Sequence, residues 1–579
     1  MKLPADLRLP MISGAFHYAR VHPDQWEERL QLLRAMGLDT VETYVPWNFH
    51  EPRRGEYRFD GIADLGRFLD LAGAVGLRAI VRPGPYSCAE WDNGGLPAWL
   101  TGVPGLRIRT ADEAFLAAVD DWFDVLVPML VERQSTRGGN VCLVQIENEY
   151  GSFGTDRSYL EHLRIGLAGR GIDVPLFTSD GGSDSCLTGG TLPGVWATVN
   201  FGSNPEQNFD ALRRHRPDDP LFCMEYWHGW FDHWGAHHHV RDAGDAADVL
   251  DRMLATGASV NLYMAHGGTS FGCSAGANDD GRYLPTVTSY DYDAPIDEAG
   301  RPTAKFWAFR EVIGRYRDLP PLQEVAEPAT LPTTQIRMTG AVPLANVLDA
   351  ASRVVAAPSP PTFEELGLAH GLVRYRCRVA GPRPEAALTF PGLGDRAHVY
   401  ADGRLLGIVW RDDDAGIPLA VPAEGVTLEV VVESMGRVNY GTRIGERKGL
   451  VGGVRHGLQY LHGWEVTSVE LPDLPNLPQP ESPAAASTAA DASAPAFVQG
   501  AFDAISPAGG FVALEGWGKG YVWVNGFCLG RYWERGPQRT LYLPAPVVRE
   551  GRNEVVVLEL DRIGGAPRVV DRPDLGPTD

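Results

Sequence analysis

Short apolar runs alternate with amphipathic stretches over residues 10 to about 316. The first run, PMISGAF, is strand-like, and the segment after it carries Trp26, Leu30 and Leu33 at a helical spacing. Seven further strand candidates follow, each associated with a helical segment: DTVETYVPW, RAIVRPGPY, NVCLVQIENEY, PLFTSD, VWATVN, LFCMEYW and SVNLYMAHGG. Eight alternating β and α units at this length predict a (β/α)8 barrel in residues 1–320.

The helical periodicity is clearest in three segments, IADLGRFLDLAGAVG, ADEAFLAAVDDWFDVLVPMLVER and AADVLDRMLATG. A doubly wound open sheet is the structural alternative to the barrel. It is disfavoured because no glycine-rich phosphate loop follows the first strand. The fold class predicted for the first half of the chain is therefore α/β, with the strands closed into a TIM barrel.

The residue pattern changes after about residue 317, where a proline-rich stretch is followed by the alternation of apolar and polar residues that is typical of β-strands. The dipeptides in ADG and VNG are hairpin-turn signals, because Asn, Asp and Gly tolerate a positive φ. We predict a β-sandwich domain at 335–471 and a second β-sandwich or jelly-roll domain at 496–579. The Pro/Ala/Ser-rich tract at 472–495 cannot bury a core and is predicted to be a linker.

Composition and charge exclude several classes of partner. The 579-residue chain has a formal net charge of −22, which argues against nucleic acid and anionic membrane surfaces as partners. No stretch approaches the ~18 apolar residues of a membrane span, and no basic segment precedes an apolar one at the N-terminus. The seven cysteines are an odd number without a CxxC pair, so we expect reduced thiols and a cytoplasmic location. The oligomeric state stays open, with a homodimer as one option.

The candidate chemistry lies where the predicted barrel strands end, because barrel enzymes hold their reactive groups there. Carboxylates and aromatic rings dominate this set, and no metal-ligand spacing is present, so we expect neither a metal nor a cofactor. The residues are His17, Tyr18, Tyr44, Trp47, Asn48, Tyr86, Cys88, Glu90, Trp91, Glu147, Asn148, Glu149, Glu225, Trp227, Trp230 and His266. Paired carboxylates among aromatic rings suit glycoside hydrolysis, in which one carboxyl donates a proton and another attacks or activates water.

Some of these features have plainer interpretations. Glu147 is interpreted as a structural ion-pair partner. The run His237–His239 is predicted to be a solvated loop, since adjacent histidines need further ligands to hold a metal. Cys88 can be a small buried hydrophobe, and we assign it no thiol chemistry. Trp230 and Tyr263 can be ordinary core residues.

Six motifs carry a resemblance to a known family: SGAFHYAR, TYVPWNFHEP, RPGPYSCAEWDNGGLPAWL, VQIENEYGS, SYDYDAPIDEAG and GRVNYG. They resemble the family 35 glycoside hydrolases, a β-galactosidase family. The resemblance runs from about residue 8 through the barrel and more thinly to about residue 562. It implies a retaining exo-β-galactosidase in which Glu149 is the acid/base and Glu225 is the nucleophile.

The resemblance also implies a set of substrate contacts. Tyr44 and Glu90 are similar to residues that bond galactose hydroxyls, with Cys88 and Ala89 lining the same loop. Further contacts are implied at Asn148, Trp230, Tyr263 and Tyr292. The expected partner is a β-galactoside oligosaccharide or glycoconjugate. Two alternatives stay open: a same-barrel glycosidase for another sugar, such as a β-glucosaminidase or β-glucosidase, and a non-catalytic carbohydrate-binding protein. The linkage preference is also open, because the loops GGTSFGCSAGAN and MEYWHGWFDHWG depart from the family pattern.

Overall fold

Eight parallel strands close into a barrel in which β8 pairs with β1. The computed structural model describes residues 7, 9–321, 328–413, 415–477 and 495–578. The barrel strands are β1 Ile12–Ala15, β2 Thr40–Tyr44, β3 Arg78–Arg82, β4 Val141–Gln145, β5 Leu176–Gly181, β6 Trp196–Phe201, β7 Phe222–Trp227 and β8 Ser259–Tyr263. The predicted (β/α)8 barrel is confirmed.

Helices surround the barrel, and several begin at side chains that cap them. Asp112 accepts hydrogen bonds from the N–H groups of Ala114 and Phe115 at the start of α5, and Asp156 caps α7 in the same way. None of the described helices is long and apolar enough to cross a membrane. The helices are α1 Trp26–Met36, α2 Trp47–His50, α3 Leu65–Ala74, α4 Ala98–Thr101, α5 Glu113–Glu132, α6 Tyr150–Phe153, α7 Arg157–Gly169, α8 Asp184–Gly190, α9 Pro205–His215, α10 Ala243–Ala255, α11 Ala304–Ile313 and α12 Leu344–Asp349.

The two faces of the barrel sheet carry different side chains. Residues such as Val81 and Val144 pack with the helices, whereas their neighbours Ile80 and Leu143 belong to a separate cluster drawn from the strands. Successive side chains of a strand point to opposite faces, so this second cluster fills the barrel interior. Further along the same inward face the residues become polar, and Arg82 follows Ile80 on β3. The strand pattern therefore directs polar groups to the carboxyl end of the barrel.

The rest of the chain forms antiparallel and mixed sheets, some of them built partly from barrel loops. The short strands of the loops are β9 Gly268–Thr269, β10 Ala277–Asp279, β11 Tyr283–Pro285 and β12 Ser289–Tyr290. The next strands are β13 Thr334–Gln335, β14 Arg337–Pro343, β15 Val355–Ala357, β16 Gly371–Val379, β17 Arg383–Thr389, β18 Leu393–Gly394, β19 Arg396–Ala401, β20 Arg404–Trp410, β21 Ile417–Val421, β22 Val426–Glu433, β23 Val438–Gly441, β24 Gly449–Leu450, β25 Arg455–His456, β26 Gln459–Tyr460 and β27 Trp464–Glu470. The last strands are β28 Ala496–Ala504, β29 Gly510–Ala513, β30 Lys519–Val524, β31 Phe527–Trp533, β32 Thr540–Leu543, β33 Gly551–Glu559 and β34 Arg568–Val570.

Two β modules follow the barrel, each with its own apolar core, as the sequence predicted. The first combines a six-stranded sheet, ordered β15-β27-β16-β22-β19-β20, with a four-stranded one, β21-β17-β25-β26. The second combines the sheets β14-β28-β33-β30-β31 and β13-β34-β29-β32. Strands β13 and β14 thus pair with the last module although they precede the first in sequence. The domain boundaries and the jelly-roll alternative stay predictions, and residues 478–494 of the predicted linker lie outside the described residues.

One strand of the first module reaches the barrel. Strand β23 pairs in parallel with β10, which belongs to the loop after β8. This pairing carries the segment GRVNYG to the carboxyl end of the barrel, next to the loop that follows β3. The hydroxyl of Tyr86 donates to the carbonyl oxygen of Asn439 in this segment. The carboxyl end of the barrel is therefore built partly by a β module.

Candidate active site

Glu225 lies on β7, and its carboxylate accepts three hydrogen bonds. Oε1 accepts from Arg82 Nη2 at 2.6 Å and from the hydroxyl of Tyr44 at 2.9 Å. Oε2 accepts from Trp227 Nε1 at 3.0 Å. Because all three partners are donors, the surroundings match an ionised carboxylate held in one orientation.

Glu149 follows β4 and has very different surroundings. Its backbone adopts a left-handed φ of 47°, and its Oε1 accepts one hydrogen bond, from Asn200 Nδ2 at 3.0 Å. Burial and, to a smaller extent, the negative charge of Glu225 raise the pKa of Glu149 to about 8, against the lowering effect of the hydrogen bond from Asn200. The Glu149 carboxyl therefore carries a proton at neutral pH.

Glu147 is the carboxylate nearest to Glu149 in sequence, but its two oxygens are bound by other side chains. Arg109 binds it in a bidentate geometry, with Nε and Nη2 each 2.8 Å from an oxygen, and Tyr159 donates to it at 3.0 Å. A buried bidentate pair of this kind fixes the loop that carries Glu149. The interpretation of Glu147 as a structural ion-pair partner is confirmed.

Asn148, which directly precedes Glu149, shares two hydrogen-bond partners with Glu225. Its Oδ1 accepts from Arg82 at 2.6 Å, from Tyr44 at 2.9 Å and from Gln145 Nε2 at 3.1 Å. The Arg82 guanidinium also lies 3.9 Å below the centre of the Tyr44 ring. Arg82 and Tyr44 thus contact both Asn148 and Glu225, so the ends of β2, β3, β4 and β7 converge on one network.

The loop after β3 presents Glu90 to the same region. Cys88, Ala89 and Glu90 all have left-handed backbones, with φ values of 59°, 54° and 48°. Glu90 accepts from the hydroxyl of Tyr290 at 2.6 Å and from Asn439 Nδ2 at 3.4 Å. Burial raises the pKa of Glu90 to about 7, although the bond from Tyr290 lowers it. Three consecutive left-handed residues cost free energy, as is common where a loop is shaped for binding.

The neighbours of Glu90 in this loop are held by residues from other elements. The Ala89 carbonyl accepts from Arg20 Nη2 at 2.6 Å. Asn439 Nδ2 donates to Cys88 Sγ at 3.5 Å. Burial raises the pKa of Cys88 well above its ordinary value, so the thiol stays neutral and behaves as a small apolar group.

Aromatic rings form one wall of the site. Tyr263 and Tyr292 meet edge to face with ring centres 5.5 Å apart, and Tyr290 lies 5.4 Å from Tyr292. Trp230 stacks on Phe231 at 4.9 Å while 38% of its surface stays exposed. Tyr263 packs in one buried cluster with Tyr44, whose hydroxyl donates to Glu225, and burial raises the pKa of Tyr263. Trp230 and Tyr263 therefore border the site instead of belonging to a distant core.

The structure brings Glu149, Glu225 and the implied substrate contacts to one end of the barrel, whereas the candidates Tyr18 and Trp47 pack in the core between strands and helices. It adds several side chains that sequence reasoning did not name: Arg20, Arg82, Asn200, Tyr290 and Asn439. A signal existed for Arg82 and Asn200, which are polar residues at the inward positions of strand ends. Asn439 lies in the motif GRVNYG, which carries the family resemblance, but nothing in that motif shows that a β module brings it to the barrel site.

The histidine run differs from its prediction. His238 is buried, and its Nδ1 lies 2.7 Å from Asp232 Oδ2. His239 Nδ1 lies 2.9 Å from the other oxygen of Asp232. The prediction of a solvated loop is therefore wrong for His238, because the loop folds back and uses Asp232 to join two neighbouring imidazoles.

The comparisons with known proteins match this architecture. The model of glycosyl hydrolases family 35 covers residues 4–316. The models of the β-galactosidase first all-beta domain and galactose-binding domain cover 360–470 and 495–553. The chain is 40% identical to the mouse β-galactosidase-1-like protein, over 98% of this chain and 90% of that protein. It is 41% identical to a Xanthomonas manihotis β-galactosidase, with coverages of 92% and 88%, and 40% identical to a dog β-galactosidase, with coverages of 98% and 89%. The chain therefore belongs to glycosyl hydrolase family 35 and is a hydrolase of the β-galactosidase type.

Proposed function

We propose that the protein is a retaining exo-β-galactosidase that removes terminal, non-reducing β-D-galactose, with Glu225 as nucleophile and Glu149 as acid/base. The observation that carries the proposal is the opposite environment of the two carboxyls. Glu225 is surrounded by donors, whereas Glu149 keeps a proton because its pKa is raised to about 8. One nucleophile and one proton donor are what glycoside cleavage with retention requires.

In the first half of the reaction, Glu225 attacks the anomeric carbon while the bond to the aglycone oxygen breaks. Glu149 gives its proton to that oxygen, so the aglycone leaves as a neutral alcohol. Arg82 and Tyr44 hold Oε1 of the attacking carboxylate, and Trp227 holds Oε2. This fixed orientation lowers the entropic cost of reaching the transition state.

In the second half, water attacks the anomeric carbon of the galactosyl–Glu225 ester. The ester has no negative charge, so the repulsion that raised the pKa of Glu149 is gone. Glu149, now ionised, takes a proton from the water, and Glu225 leaves as a carboxylate. Two inversions give net retention of the β configuration, and galactose is released.

The hydroxyl groups of the sugar need fixed partners, and the site offers several. Glu90, Asn148 and Tyr44 supply acceptors and donors beside the nucleophile. Tyr263, Tyr292 and Trp230 supply apolar faces for the C–H groups of the ring. Cys88 and Ala89 shape the loop that presents Glu90.

A panel of nitrophenyl glycosides tests the assignment of the sugar. We expect hydrolysis of the β-galactoside and little or none of the β-glucoside and β-N-acetylglucosaminide. NMR of the first-formed product should show β-galactose before mutarotation. Faster hydrolysis of another sugar would replace galactose in the proposal, and α-galactose as first product would exclude retention. Lack of hydrolysis of every glycoside would favour the carbohydrate-binding alternative.

We also propose a cytoplasmic location. The support is that all seven cysteines are free thiols, and six of them are buried. Reduced thiols are typical of reducing compartments. Fractionation of cells that express the full chain, with galactosidase activity followed in each fraction, tests this location. Activity confined to the medium or to an extracytoplasmic fraction would contradict it.

A further inference from the structure

His17 lies just beyond the end of β1, and one nitrogen of its buried ring is paired with Arg20. Nδ1 lies 2.6 Å from Arg20 Nη1. A guanidinium can only donate, so Nδ1 accepts this hydrogen bond and carries no proton. Burial and the charges of Arg20 and Arg82 lower the pKa of His17 well below its ordinary value, so the ring is neutral. The single proton of the neutral imidazole is therefore on Nε2.

The Nε2–H group of His17 is a buried donor, and the residues that the structure describes supply no acceptor for it. Buried donors in folded proteins are paired in the great majority of cases, because an unmade hydrogen bond costs free energy. A donor left in this state at a binding site is completed when a ligand brings the acceptor.

An unpaired ring nitrogen is not by itself evidence of a ligand. His228 and His266 also have unpaired nitrogens. His228 meets Phe309 edge to face at 5.1 Å, and His266 stacks on Phe16 at 4.9 Å. Both phenylalanines belong to the core between the strands and the helices. The surroundings of the ring therefore decide, and those of His17 are different.

Three tyrosines of the candidate active site surround the ring of His17. Tyr44 and Tyr263 meet it edge to face with ring centres 5.4 and 5.7 Å away, and Tyr290 lies 6.1 Å away in a stacked orientation. The hydroxyl of Tyr44 donates to the proposed nucleophile, and that of Tyr290 donates to Glu90. The ring thus contacts tyrosines that reach both carboxyls of the proposed sugar site. A galactose that extends from one carboxyl to the other passes close to His17.

A small cavity adjoins the ring on this side of the barrel. Its volume is about 10 Å³, and its lining includes His17, Arg20, Tyr44 and Ala89. A volume of this size is close to the smallest that holds one water-sized group, so a single hydroxyl group fits and a whole sugar ring does not. Tyr44 and Ala89 are among the implied substrate contacts, so the cavity is continuous with the proposed galactose site.

The acceptor for Nε2–H should be a neutral group that can also donate. An anion is disfavoured, because the Glu225 carboxylate beside Tyr44 repels it. An apolar C–H face has no lone pair to offer. A sugar hydroxyl meets both conditions, since it accepts from one partner while it donates its own proton to another, such as the carboxyl of Glu90.

We infer that His17 binds the substrate directly, with Nε2–H donating a hydrogen bond to one hydroxyl of the galactose in the site. Arg20 fixes the tautomer that makes this possible, because its guanidinium occupies Nδ1. The inference rests on the proposed galactosidase function and adds a contact from the end of β1 to those that the family resemblance implies.

Two substitutions separate the contact with the sugar from the contact with Arg20. The amide of His17→Gln reaches the position of Nε2, so it keeps the distal donor and gives up the partner of Arg20. The shorter amide of His17→Asn reaches the position of Nδ1, so it keeps an acceptor for Arg20 and loses the distal donor. We expect kcat/KM for nitrophenyl β-galactoside to fall about 10- to 100-fold in His17→Asn and less than about fivefold in His17→Gln.

Deoxygenated substrates identify the hydroxyl that His17 contacts. The 2-, 3-, 4- and 6-deoxy analogues of nitrophenyl β-galactoside are compared in wild type and His17→Asn. For the analogue that lacks the contacted hydroxyl, the substitution should change kcat/KM by less than about twofold, because the hydrogen bond is already absent. The full loss should persist for the other three. His266→Asn is the matched control, and any loss it causes should be the same for all five substrates.

Two results would overturn the inference. A loss of equal size on the galactoside and on all four analogues in His17→Asn would show that the residue supports the fold. A larger loss in His17→Gln than in His17→Asn would show that it serves only to hold Arg20. The comparison among substrates is made within one variant, so a lower content of folded protein does not affect it. Failure of the galactosidase function is distinguishable, because wild type would then not hydrolyse nitrophenyl β-galactoside.

Discussion

Two clusters of charged side chains in this molecule differ in the direction in which the pKa values of their carboxyl groups are shifted. At the carboxyl end of the barrel, carboxylates outnumber the guanidinium groups among them: Glu42, Glu90, Glu149, Asp180 and Glu225 face Arg20 and Arg82. In the first β module, cations match the carboxylates. Lys448 Nζ lies 2.7 Å from Asp395, while Arg411 lies 2.6 Å from both Asp395 and Glu446.

The protonation of the two clusters differs accordingly. Burial raises the pKa values of Glu42, Glu90 and Asp180 to about 7 and that of Glu149 to about 8. Burial acts in the same direction on Glu446, but Lys448 and Arg411 reverse it and lower its pKa to about 2. Where carboxyl groups outnumber cations, some of them keep a proton near neutral pH and can donate it. Where cations match the carboxylates, the carboxylates stay ionised in fixed ion pairs.

Glu225→Gly removes the carboxylate that the donors of the site surround, and we expect the largest effect here. Turnover should fall on the order of 10⁵-fold, because no group remains to form the covalent intermediate. Added azide should restore part of the turnover as a galactosyl azide of α configuration, detected by NMR. Near-normal activity of this variant would remove Glu225 from the nucleophile role.

Glu149→Gln removes the proton donor and keeps the size of the side chain. For alkyl β-galactosides, whose leaving groups are poor, we expect kcat/KM to fall by about 10³-fold. For dinitrophenyl β-galactoside, whose leaving group needs no proton, the loss should be much smaller. Equal losses across a leaving-group series would contradict proton donation by Glu149.

Lys448→Met tests the balanced cluster of the β module. The substitution leaves a buried carboxylate, Asp395, with one cation fewer, so we expect a loss of about 3 kcal/mol in unfolding free energy. Urea unfolding followed by tryptophan fluorescence measures the loss. At 25 °C and without denaturant, kcat/KM should stay near the wild-type value. A loss of activity larger than the loss of folded protein would show that the two clusters are coupled.

Matched glutamine variants turn the comparison into a pH experiment. The folded-state pKa of Glu90 is raised to about 7, so its ionisation lowers stability as pH rises from about 4.5 to 7. Glu90→Gln should therefore gain on the order of 2 kcal/mol over wild type at pH 8 relative to pH 5.

Glu446→Gln should behave in the opposite way. The folded-state pKa of Glu446 is lowered to about 2, so the ionised side chain stabilises the fold above about pH 4.5, and this contribution is lost as pH falls toward 2. The variant should be less stable than wild type at pH 5 and at pH 8, by a similar amount. Urea midpoints at the two pH values measure both variants, and the same pH trend in both would remove the proposed difference between the clusters.

The barrel could be predicted from sequence because each of its strands and helices has a recognisable pattern within a short segment. Each strand run of the first half, from PMISGAF to SVNLYMAHGG, occurs where the structure has a strand. Pairing between successive parallel strands then follows from the βα alternation. The placement of β14 could not be predicted in this way, since Arg337 pairs with Ala501, across the whole first module. Local propensity does not encode such distant partners.

The same distinction divides the site. Glu149, Glu225 and Asn148 directly follow or lie in apolar strands, where sequence reasoning looks for reactive groups. Asn439 comes from the β module and contacts Glu90 through a pairing of β23 with β10. His17 was named at a strand end, but its role depends on the tautomer that Arg20 imposes. Contacts between separate domains, and the positions of protons on side chains, cannot be inferred from the sequence and require the three-dimensional structure.

The smallest expected effect concerns the alkaline limb of the pH profile. Glu149 must be protonated to act as an acid, so kcat/KM of the wild type should fall above about pH 8. Asn200 donates to the Glu149 carboxylate and thereby lowers its pKa. Asn200→Ala should therefore move the alkaline limb to higher pH, with a modest loss in the maximum of kcat/KM. Thr198→Ala, on the same inward face of β6, is the matched control and should leave the limb in place. A shift to lower pH in Asn200→Ala would mean that another group controls this limb.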